Sequence, residues 1–190
     1  MTLILRPTPA QRGYRMPAEW EPQRAVWLAW PHKIESWPGK FEPIPPIFAR
    51  LAAELSTDQA VEILVPNDAA AAEAQSLIMR AGGNAGNLRL HPIPTNDSWI
   101  RDFGPTFLLS DTAEQPAASK APCRALVGWR YNAWGGKYPP WDLDEQVPRR
   151  LGALLNLPVF EPCIILEQSL PESSVVGING QIGSAKLIGK

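Results

Sequence analysis

Cysteine and histidine are scarce in this 190-residue chain, with two of each. Cys123 and Cys163 stand apart in different settings with no CxxC spacing, which gives neither a disulfide framework nor a thiolate metal site. His32 and His91 are too few and too isolated for a metal cluster. An excess of either charge is lacking too. Lys plus Arg is 18 against 19 for Asp plus Glu, so no net field draws in nucleic acid or an anionic membrane surface. No apolar run approaches the roughly 20 residues of a membrane-spanning helix, and the opening "MTLILRPTPAQRG" has neither a sustained apolar region nor a cleavage pattern. The expectation is a cytoplasmic protein with no nucleic-acid or membrane partner. Its 45% apolar content suits one good core, or two very small domains.

Proline and tryptophan are in surplus instead, at 21 and eight residues, against an ordinary proline usage of about 5%. The two occur together, in "EWEP", "AWPHK", "SWPGK" and "YPPWD". Stiff turns bearing large flat side chains suit a lined cleft, because proline removes chain entropy and indole offers a face for stacking. Ordinary core and rim packing of the same tryptophans is the competing reading.

Along the chain, residues 1–19 read as an extended strap whose prolines oppose helix. Residues 24–31, "RAVWLAWP", are a buried strand, and residues 45–56 a helix with Pro at its first turn and Ile47, Leu51 and Leu55 at helical spacing. Residues 60–66 are a strand, followed by a helix over 68–81 capped by Asn67 or Asp68 and stopped by Gly82 and Gly83. Residues 88–94 and 105–110 are further strands, and 111–124 a polar loop that interrupts the fold. Residues 125–136 resume as strand then turn, a helix from about Pro148 carries Leu151, Leu154 and Leu155 on one face, and 158–167 are a strand pair broken by Pro162. Alternating strands and helices predict an α/β fold, with a strand, helix and strand unit that recurs.

Three places could carry chemistry. In "TNDSWIRDFGP", Asp102 is suited to a planar fork-shaped cation, since two parallel N–H donors match its two oxygens, and Trp99 can stack on the same plane. Structural ion pairing of Arg101 and Asp102 at a strand end, with Trp99 in the core, explains the same residues. In "YNAWGGKYPPWDLD", Gly135 and Gly136 permit close backbone approach with Trp134, Tyr138 and Trp141 around them. That loop walls a small cation or is a surface loop with aromatic staples. Glu167, after the apolar "CIIL", faces a ligand at the sheet end or plain solvent. His32 and His91 are the available acid–base groups.

Four segments in series, "MPAEWEPQRAVWLAWPH", "TNDSWIRDFGPTF", "YNAWGGKYPPWDLD" and the "ILE" ending at Glu167, make residues 14–167, apart from the 111–124 loop, resemble the agmatine deiminase family, the bacterial peptidylarginine-deiminase-like group. The resemblance implies a pentein-type α/β propeller, a five-fold pseudo-symmetric ring of which this chain holds about the first half. It also implies hydrolysis of the guanidino group of agmatine to N-carbamoylputrescine and ammonia, without metal or organic cofactor. In the family a cysteine thiolate attacks the guanidinium carbon, a histidine moves protons and carboxylates hold the nitrogens. Attack on a delocalised cation needs fixed orientation and an ionised nucleophile. By the resemblance, Asp102 is the carboxylate that grips the guanidinium, Trp99 its stacking neighbour and Glu167 a second acidic group of the pocket.

The chain departs from the family in two respects. Neither Cys123 nor Cys163 matches the nucleophile's motif, and the family's histidine motif has no counterpart. After Glu167 the family has a Gly-Gly-Ser turn where this chain reads "QSLPESS". The expectation is a partial deiminase domain over 1–167, a divergent tail over 168–190 foreign to the fold, and self-association through strand edges left unpaired. A non-catalytic fragment, a guanidinium-binding remnant or a peptidyl-arginine deiminase are the alternatives.

Overall fold

Side chains that alternate along the apolar runs 25–29 and 60–65 give the first sheet two buried faces, and residues 88–92 add a half-exposed third strand. The computed structural model describes residues 7–18, 20–110 and 123–166. After a 3-10 turn at Ala10–Arg12 the elements are β1 (Tyr14–Arg15), β2 (Ala25–Ala29), α1 (Ile44–Asp58), β3 (Ala60–Val65), α2 (Asp68–Arg80), β4 (Leu88–Pro92), α3 (Ile100–Phe103), β5 (Thr106–Ser110), β6 (Arg124–Val127), α4 (Ala133–Gly136), α5 (Asp142–Glu145), α6 (Val147–Leu155) and β7 (Val159–Phe160). Strands β2, β3 and β4 pair in parallel and in sequence order. A second sheet runs β1-β5-β6-β7, antiparallel except for the parallel β6–β7 pair, whose crossover includes α6. The expected α/β class and the recurring strand, helix and strand unit are both present.

On one face of the first sheet Val26, Leu28, Trp30, Val61, Ile63 and Val65 pack against α1 and α2. Helix α1 meets them with Phe48, Ala49, Ala52 and Ala53, while Ile47 is 56% exposed and Leu51 and Leu55 lie at the flanks. Small residues let the helix axis approach the sheet closely, so the buried stripe is the alanine face and not the Ile47, Leu51, Leu55 line that size alone suggests. Asn67 caps α2, its side chain accepting from the Ala70 N–H at 2.9 Å.

The opposite face presents Trp27, Ala29 and Leu64 to a second cluster. Ile100 and Phe103 of α3, Leu126 of β6, Tyr131, Ala133 and the α6 residues Val147 and Leu151 complete it. Leu154, expected on the buried face of α6, is 46% exposed; Gly152 is buried in its place. A Cβ at Gly152 would lie 2.3 Å from Val159 Cγ2, so α6 runs too close to β7 for a side chain there. Cys163, expected inside an apolar strand, is exposed in a bend, because the chain after Pro162 makes only the single parallel bridge Arg130 to Ile165. No helix among the described residues is long and apolar enough to cross a membrane.

Candidate functional site

The segment Thr95–Pro105 turns out to be a loop followed by one helical turn, and not a strand end. Trp99 sits at the N-cap of α3 and its carbonyl accepts from the Asp102 N–H at 2.9 Å. The two residues therefore flank the first turn of α3, Trp99 just outside its helical backbone and Asp102 within it. Ile100 and Phe103 of the same turn are buried in the second cluster, which anchors α3 and leaves Trp99, Arg101 and Asp102 half-buried. Trp99 also stacks on Trp37, with ring centroids 5.5 Å apart and planes at 25°, a contact worth about 0.5–1.5 kcal/mol beyond its buried area. The Trp37 indole N–H is buried without an acceptor among the described residues.

A network of short polar side chains holds this turn. Asp97, buried ahead of Trp99, accepts from the Ser98 N–H at 2.8 Å and from Ser36 Oγ, with Lys33 Nζ at 3.8 Å. Asp144, 2% exposed, accepts through Oδ1 from the N–H groups of Asn96 at 2.6 Å and Asp97 at 3.3 Å. Burial pushes the Asp144 carboxyl up to about 7; the two N–H groups and the Lys33 ammonium pull the other way, and the nearby Asp97 charge adds to the rise. These residues lie inside the quoted motifs, yet only Trp99 and Asp102 stood out from sequence. The sign of their role was the Asx residues of "TND" and "WDLD", the residue type that caps neighbouring N–H groups.

The glycine loop also belongs here. Helix α4 is a single left-handed turn: Ala133, Trp134, Gly135 and Gly136 all have positive φ, closed by Gly136 N–H to Asn132 O at 2.7 Å and Lys137 N–H to Ala133 O at 3.0 Å. Left-handed backbone is cheap only at glycine, so Ala133 and Trp134 hold it because the surroundings fix them: Ala133 is buried and the Asn132 side chain accepts from the Gly135 N–H. Phe103, Tyr131, Trp134 and Tyr138 form a chain of edge-on ring contacts from α3 to the surface. Of the eight tryptophans two are buried, five half-buried and only Trp20 exposed, so most present one side for contact.

His32 turns Nδ1 to the Trp30 carbonyl and Nε2 to the Thr95 carbonyl, each at 3.0 Å, tying the end of β2 to the Thr95 turn. His91 stacks on Trp27 and lies 2.6 Å from Glu62 through Nε2. Neither histidine's hydrogen bonds go to a thiol, and Cys123 and Cys163 are both exposed. Glu167 lies outside the described residues, as do the loop over 111–122 and the tail over 168–190.

Residues 15–174 match the Porphyromonas-type peptidyl-arginine deiminase family. The chain belongs to that family. Its relatives include the agmatine deiminase of Pseudomonas aeruginosa, 36% identical over 148 residues, which covers 76% of this chain and 36% of the relative. The agmatine deiminase of Pseudomonas syringae pv. tomato is 36% identical over 160 residues, covering 82% and 39%. Among solved structures, an agmatine deiminase of Enterococcus faecalis superposes with a TM-score of 0.69 at 27% identity, over 84% of this chain and 40% of that one. The chain thus spans less than half the length of these peptidyl-arginine and agmatine deiminase relatives.

Proposed function

We propose that this chain supplies the guanidinium-binding part of an agmatine deiminase site. Asp102 takes two guanidinium nitrogens, Trp99 stacks on the cation's plane, and Glu167 adds a second carboxylate. The observation that carries the reading is the placement of Trp99 at the N-cap, and Asp102 within the turn, of a helix anchored by Ile100 and Phe103, within a chain of this family. A planar, delocalised cation needs both an in-plane acceptor and a face, and this turn offers both. The complete reaction is hydrolysis of agmatine to N-carbamoylputrescine and ammonia. The scaffold we propose is a pentein ring of which residues 1–167 form about the first half, with 168–190 divergent from it, in a cytoplasmic protein.

We infer little or no turnover by these 190 residues alone, because neither cysteine matches the family's nucleophile motif and the hydrogen bonds of both histidines go to carbonyls and to Glu62. Exposed Leu154, Ile164 and Ile165, on α6 and beyond edge strand β7, favour self-association. In calorimetry agmatine should give heat with the chain and none with Asp102→Asn. Release of ammonia from agmatine by the purified chain, abolished by Asp102→Ala, would contradict the binding-only role.

A further inference from the structure

A carboxylate in α5 and an amide in the Thr95 loop exchange main-chain partners across this site. Asp144 Oδ1 takes the N–H groups of Asn96 at 2.6 Å and Asp97 at 3.3 Å, while Asn96 Oδ1 takes those of Leu143 at 2.8 Å and Asp144 at 3.2 Å. Each side chain satisfies two donors at the start of the other's segment, so all four bonds form only in one register of the two segments. Asn96 Nδ2 adds a bond to Asp142 Oδ1 at 3.3 Å. Asp144 and Asp97 are 2% and 8% exposed, so water cannot replace these bonds without opening the site.

On this loop the exchange stands at Asn96 and Asp97, three and two residues ahead of Trp99. On its other side Asp97 holds Ser36 and Lys33, and Trp37, next to Ser36, lies flat against Trp99. Three segments, from Lys33 to Trp37, Thr95 to Trp99 and the start of α5 from Trp141 to Asp144, therefore meet where α3 begins. Ile100 and Phe103 fix the depth of α3 in the core, while the exchange, together with the Asp97 bonds and the Trp37 stack, holds the loop from which Trp99 leaves.

We propose that the Asn96–Asp144 exchange positions Trp99, and through the α3 turn Asp102, for a guanidinium group. Asp144 is a positioning residue and does not touch the ligand. The inference rests on the guanidinium-binding reading above, and two signals separate its failure from the failure of that reading. One is the exciton couplet that the stacked Trp37 and Trp99 indoles give in circular dichroism, identified by its loss in Trp37→Phe. The other is the calorimetric affinity for agmatine.

In Asp144→Ala the couplet should vanish and agmatine should bind about tenfold more weakly or worse, the scale of leaving buried donors unpaired. Asp144→Asn keeps the Oδ1 acceptor and should restore both signals, a rescue that a general loss of stability would not show. Asn96→Ala breaks the exchange from the Thr95 loop, should reproduce the Asp144→Ala result, and serves if that variant does not fold. An unchanged couplet and unchanged agmatine affinity in the alanine variants would overturn the proposal while leaving the binding reading intact. A chain that gives no heat with agmatine, but whose couplet still requires Asp144, would overturn the binding reading and with it the ligand that the exchange is proposed to serve.

Discussion

Asp144 shows how far a side chain's chemistry depends on residues distant in the sequence. Its two main-chain donors come from residues 48 and 47 positions away, and only that closure removes the carboxyl from water. The local string "WDLD" shows an Asx residue ahead of a helix expected from about Pro148, but neither the short α5 nor the burial of this Asp is legible there. The rise of its carboxyl from 3.8 to about 7 makes a pH prediction with a definite sign. Below 3.8 the group is protonated in both folded and unfolded chain. Between 3.8 and 7 the folded chain holds the proton more tightly, so stability falls as pH rises through that window, by roughly 4 kcal/mol at most. Thermal unfolding followed from about pH 4 to about pH 8 should therefore fall more steeply for the parent chain than for Asp144→Asn; parallel curves would show that Asp144 does not titrate in this range. Trp99 and Asp102 are proposed as site residues for a different reason: residue type and spacing are local, and the α3 turn places Trp99 at its N-cap and Asp102 within it.

Helices and strands followed their local signals closely where those signals were local. Asn67 caps α2 as its side-chain chemistry predicts, and the strand at 60–66 is β3 within a residue. Periodicity placed Leu151 and Leu155 of α6 against the core but also Leu154, which is exposed, and it did not mark the alanine stripe of α1 as the most buried one. Phe48 with the alanines of α1, and Gly152 of α6, are buried because each helix lies close to a sheet. For α6 that distance is set by Val159 of β7, and for α1 by the Val26, Leu28, Val61 and Ile63 face of the first sheet. Gly152→Ala tests this close approach. Alanine gains about 0.5–1 kcal/mol of helix propensity over glycine. Against this, a Cβ 2.3 Å from Val159 Cγ2 and 3.3 Å from the Leu157 carbonyl must push the helix off β7, at about 1–3 kcal/mol for overpacking. The clash wins, so the urea midpoint should fall with little change in slope; a raised midpoint would mean that α6 has room to spare.

Across the molecule, the parallel three-stranded sheet and the mixed four-stranded sheet contribute to one shared cluster, where Trp27, Ala29 and Leu64 meet Leu126, Tyr131 and Leu151. That cluster anchors α3 and the left-handed α4 turn, and so carries the aromatic and carboxylate groups proposed to receive the ligand. The order of α and β elements made the architecture legible from sequence; the way the two sheets share a core did not appear in any one segment. The account stands on recognition of the guanidinium group itself, and not of a diamine chain. Isothermal titration of the chain with agmatine and, separately, with putrescine tests this most directly. Putrescine carries two amines and no planar cation for Trp99 and Asp102 to hold. Agmatine should bind with measurable heat and putrescine should not displace it; equal binding of the two, or none by agmatine, would contradict the account.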